Sequence, residues 1–202
     1  VKYSRMISKF TDNLKLNVGS ELQVDEMQYS RRRQPNKKGV DINWFIDCID
    51  TETRFMVASN FVKARGQGEL KNVLYKAKQK TDKQLKIITS DGFTTYPRAV
   101  TSVFGYYNFQ RKHMKHNVVN ASQGEGFNIM IERLHNNIRQ RTKTFRGFHG
   151  SISSANAIMK GWEIYYNFIT KHQSLNRCPY ELATDLKLSS ENKWLDLITL
   201  SS

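Results

Sequence analysis

The apolar positions divide the 202-residue chain into stretches of two different periods. Near the start, Met6, Ile7 and Phe10 fall on one side of a helical projection, with Leu14 further on, which predicts an amphipathic helix within residues 1–17 that ends near Gly19. In "ELQVDEMQYS", Leu22, Val24 and Met27 predict a strand, and the "RRRQPNKKG" that follows has the composition of an exposed hairpin loop. "DINWFIDCID" and "RFMVASNFV" are rich in aromatic and β-branched residues, with turn chemistry in the "DTET" between them. These three strands are expected to form an antiparallel meander.

Leu70, Val73, Leu74 and Ala77 then recur at i, i+3, i+4 and i+7, the spacing of one helix face. "LKIITSDG" predicts a buried strand stopped by an Asp-Gly turn, and a second helix is predicted from Tyr96 to Phe104. Alternation in "YNFQRKHM" suggests another strand, and Asn117 to Gly126 has the polarity of a loop. Ile131, Leu134 and Ile138 mark the buried stripe of the next helix; Ala155, Ile158, Met159, Trp162, Tyr166 and Ile169 mark a closing one. Strands followed by strand and helix alternation imply an α/β domain, a mixed sheet covered by helices.

Composition narrows the partners. With 39% hydrophobic residues the chain can bury a core, and it contains no long Gly/Ser/Pro tract and no internal repeat, so one domain with extensions is expected. The excess of 32 Lys and Arg over 18 Asp and Glu, a formal charge of +14, calls for a polyanionic partner, most simply nucleic acid. No uninterrupted apolar run approaches transmembrane length and the charges are spread along the chain, so a membrane is not the expected partner. Cys48 and Cys178 stand far apart and outside any zinc-ligand spacing, which fits a reducing cytoplasm. The basic start has no apolar signal core and opens on Val, as in a piece of a longer chain.

Phosphodiester chemistry with divalent ions requires hard carboxylate ligands that converge from separate elements. Asp25 lies in the first strand, Asp91 at the carboxyl end of the fourth and Glu132 on a later helix, so they converge if the first and fourth strands are neighbours. Asp47 and Asp50 are rival acids; Asp50 is expected to start the "DTET" turn and Asp47 to face solvent on an edge. His113 and His116 lack the partners of a metal site, and Trp162, Tyr165 and Tyr166 have the spacing of core residues. Arg133, Arg139, Arg141, Lys143 and Arg146 cluster around Glu132 and are candidates for phosphate contacts. Arg31, Arg32 and Arg33 form either a second DNA clamp or a solubilising hairpin.

In order, "VDEM", "IITSDG", "IERLHNNIRQR", "RGFHGSISSA" and "YYNFITKHQSLNRCPYELA" resemble the catalytic domain of insertion-sequence DDE transposases, over residues 20–185. The resemblance implies a ribonuclease-H-like fold: a five-stranded mixed sheet, an antiparallel three-strand meander plus parallel strands, flanked by helices. It implies Asp25, Asp91 and Glu132 as a triad for two Mg²⁺ or Mn²⁺ ions, which direct water and then a DNA 3′-hydroxyl at a phosphodiester bond. Arg139 matches the basic residue two turns after the Glu in such enzymes and would hold the DNA backbone. His135 is given a supporting role, contacting DNA or orienting Glu132, since Glu132, His135 and Arg139 at i, i+3 and i+7 are expected to share a face. Leu22 stands where related sequences often carry Trp.

Residues 1–19 would be the tail of a missing or truncated N-terminal DNA-binding domain, 20–185 the catalytic domain and 186–202 an extension. The implied partners are transposon ends and target DNA, bound by a homodimer or larger assembly in the prokaryotic cytoplasm, at the nucleoid. Two other readings remain: a ribonuclease-H-like nuclease that cuts without joining, and a non-catalytic DNA-binding module.

Overall fold

Period-2 alternation in the first strand, β1 (Glu21–Arg32), sends its side chains to two separate cores. Leu22 and Val24 enter one apolar cluster, and Met27 enters another. This arrangement comes from a computed structural model, which describes residues 1–32, 40–81, 85–105, 114–119, 128–145 and 147–202. β1 pairs antiparallel with β2 (Val40–Asp50), which pairs antiparallel with β3 (Met56–Val62). On its other side β1 runs parallel to β4 (Ile87–Asp91), and β4 runs parallel to β5 (Lys115–Val119). The sheet order β3-β2-β1-β4-β5 places β1 at the centre.

The helices α1 (Lys2–Thr11), α2 (Gln67–Thr81), α3 (Tyr96–Phe104), α4 (Ile129–Thr142), α5 (Ile152–Ile164), α6 (Tyr180–Ala183) and α7 (Lys193–Leu200) flank the sheet. This is the expected five-stranded mixed sheet. One element differs: β5 includes Asn117–Val119, where polar composition predicts a loop, because pairing with β4 outweighs weak strand propensity. The strand expected over residues 107–113 lies outside the described residues.

On one face of the sheet Leu22, Val24, Ile46 and Cys48 pack with Leu70, Val73, Leu74 and Ala77 of α2. On the other, Met27, Phe45 and Ile49 meet Ile131, Leu134 and Ile138 of α4, with Ala155 and Met159 of α5. Each such fully buried aliphatic side chain contributes about 1.5–3 kcal/mol.

Alternate residues of β1 also follow α4 along its length. Gln23 Oε1 accepts from the Met130 and Ile131 amides at 3.0 and 3.2 Å, Asp25 meets His135, and Tyr29 Oη shares a 2.9 Å hydrogen bond with Thr142 Oγ1. Six strand residues span roughly 20 Å and the matching stretch of helix about 17 Å, so the two elements keep step.

Both ends of the chain pack on the main core through Ile7 and Leu197, each 0% exposed. After α1, Asp12 Oδ1 lies 3.3 Å from Lys80 Nζ and 3.4 Å from Lys160 Nζ, and Lys160 pairs with Glu163 at 2.8 Å. Glu163 also accepts a hydrogen bond from Ser59, so this largely buried ionic group joins the end of α1 to α2, α5 and β3. Among the described residues, no helix is long and apolar enough to cross a membrane.

Candidate active site

The last paired residues of β1 and β4 are Gln23 and Thr89. Two residues further on, the same register sets Asp91 level with Asp25, and on its other side Asp25 is the cross-strand partner of Asp47. With a side-chain period of two, Asp47, Asp25 and Asp91 form a row across three strands. The carboxylates of Asp25, Glu26 and Asp91 offer oxygens within 4.8 Å of one another.

Each acid has a different setting. Asp25 Oδ1 accepts from the Glu26 amide at 2.7 Å. Burial pushes the Asp25 carboxyl up to about 7; His135 opposes the rise, and the charges of Glu26 and Asp47 add to it. Asp91 Oδ1 accepts from the Phe93 amide at 2.9 Å, so this residue both makes the Asp-Gly turn and faces the cluster. Glu26 is already engaged: Arg65 Nη1 lies 2.6 Å away, Tyr96 Oη donates to its other oxygen, and the Arg65 guanidinium is stacked over Trp44 and Phe93. Asp25 and Asp91 are less engaged, each accepting one backbone amide on Oδ1, and their oxygens keep lone pairs to serve a ligand.

This donor set fits a hard divalent cation. It consists of oxygens only, and a dication would relieve the half-buried Asp25 charge. Glu132 stands apart from the group. It is exposed in the first turn of α4, where Gln23 holds the helix start two residues from Asp25.

His135 corrects the expected face. It does not lie at the surface with Glu132 and Arg139 but is 3% exposed, with Nε2 2.8 Å from Asp47 Oδ1 and Nδ1 3.5 Å from Asp25 Oδ2. Contact of this ring with DNA is not what the fold provides. Burial works against the charged ring, yet Asp47 and Asp25 together raise its pKa above the ordinary value. Asp47 is likewise corrected: β2 is an internal strand, and Asp47 is 0% exposed, with its pKa raised by burial and held back by His135. Asp50 is the turn organiser expected, accepting from the Thr53 amide, the Thr53 hydroxyl and the Gly19 amide.

Of the expected phosphate ligands, Arg133, Arg139, Arg141 and Lys143 are exposed on or just after α4. Arg141 is partly committed, donating to Tyr165 Oη at 2.9 Å. Arg33 and Arg146 lie outside the described residues, as do His113 and the side chains of Arg31 and Arg32. His116 bonds Ser90 Oγ at 2.9 Å within the sheet, and Trp162 stacks on Tyr166 with ring centroids 5.2 Å apart. Sequence reasoning missed Gln23, Glu26 and Arg65, and weighed Asp47 only as a rival acid on a solvent-facing edge. The alternation of β1 identifies Gln23 as a neighbour of Asp25 on the same face, but nothing in the sequence marks Arg65 as the partner of Glu26.

Comparison with known proteins gives a family and a similar fold. A family model described as a DDE domain matches residues 43–189, a span that includes Asp91 and Glu132 and begins after Asp25. No curated protein matches the sequence. Among solved structures, a chain of the simian T-cell lymphotropic virus intasome in complex with PP2A regulatory subunit B56 gamma has a TM-score of 0.52 at 12% identity. The match covers 89% of this chain and 61% of that one, so this chain spans less than two thirds of its length. A chain of the Drosophila P element transposase strand transfer complex matches with a TM-score of 0.31 at 16% identity, over 57% of this chain and 33% of that one.

Proposed function

The chain belongs to the DDE-domain family of insertion-sequence transposases, and on that premise we propose that it cuts and rejoins DNA by metal-dependent transesterification. The observation that carries the reading is the meeting of Asp25 and Asp91, 66 residues apart in sequence, within one carboxylate group at the centre of the sheet. Asp25 and Asp91 hold the divalent ions, two Mg²⁺ or Mn²⁺, and Glu132 completes the set from α4. Bound there, the ions supply Lewis acidity to the scissile phosphate and its nucleophile.

The protein groups provide the rest. The Asp47–His135 pair fixes the rotation of the Asp25 carboxylate. Arg139, with Arg141 and Lys143, holds the DNA backbone along α4. Water attacks first and frees a 3′-hydroxyl on the element end; that hydroxyl then attacks a target phosphodiester. One phosphodiester is exchanged for another, and no bond to the protein forms. The partners are element ends and target DNA, engaged by a homodimer or larger assembly.

The test is strand joining with Mg²⁺ or Mn²⁺ by the wild type, by Asp91→Asn and by Glu132→Gln. Loss of product in both folded variants is expected, by 10³-fold or more, the order of magnitude for removing a group that acts with its partners as a unit. An active wild type that keeps its rate after either change overturns the assignment of that residue. Cleaved strands without joined ones identify a nuclease instead. DNA affinity without any metal-dependent product identifies a binding module.

A further inference from the structure

On the flank of α4 turned away from Glu132, a cleft of about 480 Å³ opens between α4, the β2–β3 turn and the segment Thr170–Ser174. We propose that this cleft is a second DNA-binding site, which seats a backbone phosphate and its nucleotide through Arg54, Arg133 and Lys171. The proposal rests on the DNA-acting reading above and adds a place and a set of residues to it.

Four observations carry it. First, Arg54, Arg133 and Lys171 line the cleft and no carboxylate does; among the described residues none of the three has an ion pair. Cations held together without acids repel one another, and a bound polyanion removes that cost. Second, Arg54 has φ 61°, a left-handed conformation that Gly or Asn adopts at lower cost. Strain of this kind persists where a side chain has work to do. Third, Thr170 Oγ1 is buried in the cleft wall and has no hydrogen-bond partner among the described residues, which leaves a hydroxyl to meet a ligand oxygen. Fourth, the wall is shaped by a π-helical turn, Tyr165–Ile169, a local irregularity frequent at functional positions. Burial, then the nearby charges of Arg54 and Arg133, holds the pKa of His172 below its ordinary value, and its Nδ1 shares a 3.1 Å hydrogen bond with Ser174 Oγ in the same cleft wall.

The occupant is a polynucleotide rather than a free anion because Arg133 and Asn137 connect the cleft to the exposed edge of α4. A helix is about 10–12 Å across with its side chains, roughly three phosphates of a strand at 3.4 Å of rise each. A strand placed at the acids therefore reaches the cleft by crossing α4.

The experiment measures binding of a labelled duplex oligonucleotide to the whole chain without divalent metal, across a range of salt. Arg54→Gln and Lys171→Gln are each expected to lower the slope of log affinity against log salt by about 0.9. Arg54→Gly, which relieves the left-handed backbone, is expected to show the same loss while melting no lower than the wild type. Unchanged slopes in these folded variants, with a wild type that binds DNA, overturn the cleft and leave the proposed function standing. A wild type without salt-dependent affinity overturns both. In a second arm, inorganic phosphate is titrated at constant ionic strength. Displacement of the duplex that is lost in Arg54→Gln is expected; phosphate that binds through Arg54 without displacing any duplex makes this a free-anion pocket and overturns the DNA assignment.

Discussion

Asp25 is held at a cost to stability. Its carboxyl pKa stands at about 7 against an ordinary 3.8, so the folded chain binds this proton more tightly than the unfolded chain. The stabilising contribution is complete below the ordinary value and is lost as pH rises through about 7. The difference corresponds to roughly 4 kcal/mol, an upper figure for a side chain still 20% exposed. Asp25→Asn is therefore expected to raise the urea midpoint of the metal-free chain at pH 8, with the gain shrinking at pH 5. Saturating Mn²⁺ should stabilise the wild type and not the variant. At this scale the sequence shows the acids but not their environments. Asp25 and Asp91 are legible because residue type and order suffice to suggest them. His135 and Asp47 are not, because helical spacing gives an angle around α4 and cannot say that a polar residue on the apolar side meets a buried partner on β2.

The decisive element is α4. Its buried stripe of Ile131, Leu134 and Ile138 is plain from the 3.6 period, whereas its position over the sheet depends on Gln23, which satisfies two amides of the first turn. Gln23→Ala is expected to cost about 0.5–2 kcal/mol, the range for losing a helix cap. Faster hydrogen exchange at the Met130 and Ile131 amides, with exchange in α2 unchanged, would show the effect to be local. Strand joining should fall with it, since Glu132 rides on that turn. β5 escaped notice for a related reason: a short strand with a polar sequence is specified by the β4 backbone beside it more than by its own side chains.

For the whole molecule, a mixed sheet covered by helices follows from pattern, but the central place of β1 and the seams between distant segments do not. Asp12, Lys80, Lys160 and Glu163 are ordinary surface residues in sequence, yet in the fold the last three are buried and the two lysines share the part-exposed Asp12 as a partner at one edge. Glu163→Ala leaves Lys160 without its partner at 2.8 Å and is expected to destabilise by about 3–5 kcal/mol, read from the urea midpoint. The step-for-step match between β1 and α4 has a further consequence, for changes in chain length. Deleting Val24 or Asp25 would exchange the two faces of the strand downstream, carrying the Glu26 carboxylate to the side of His135 and Met27 into the opposite core. Deleting two would keep the faces but slide the helix by about one turn. The segment thus behaves like a coding frame, in which the interval between residues is as much a determinant of the active site as their identity.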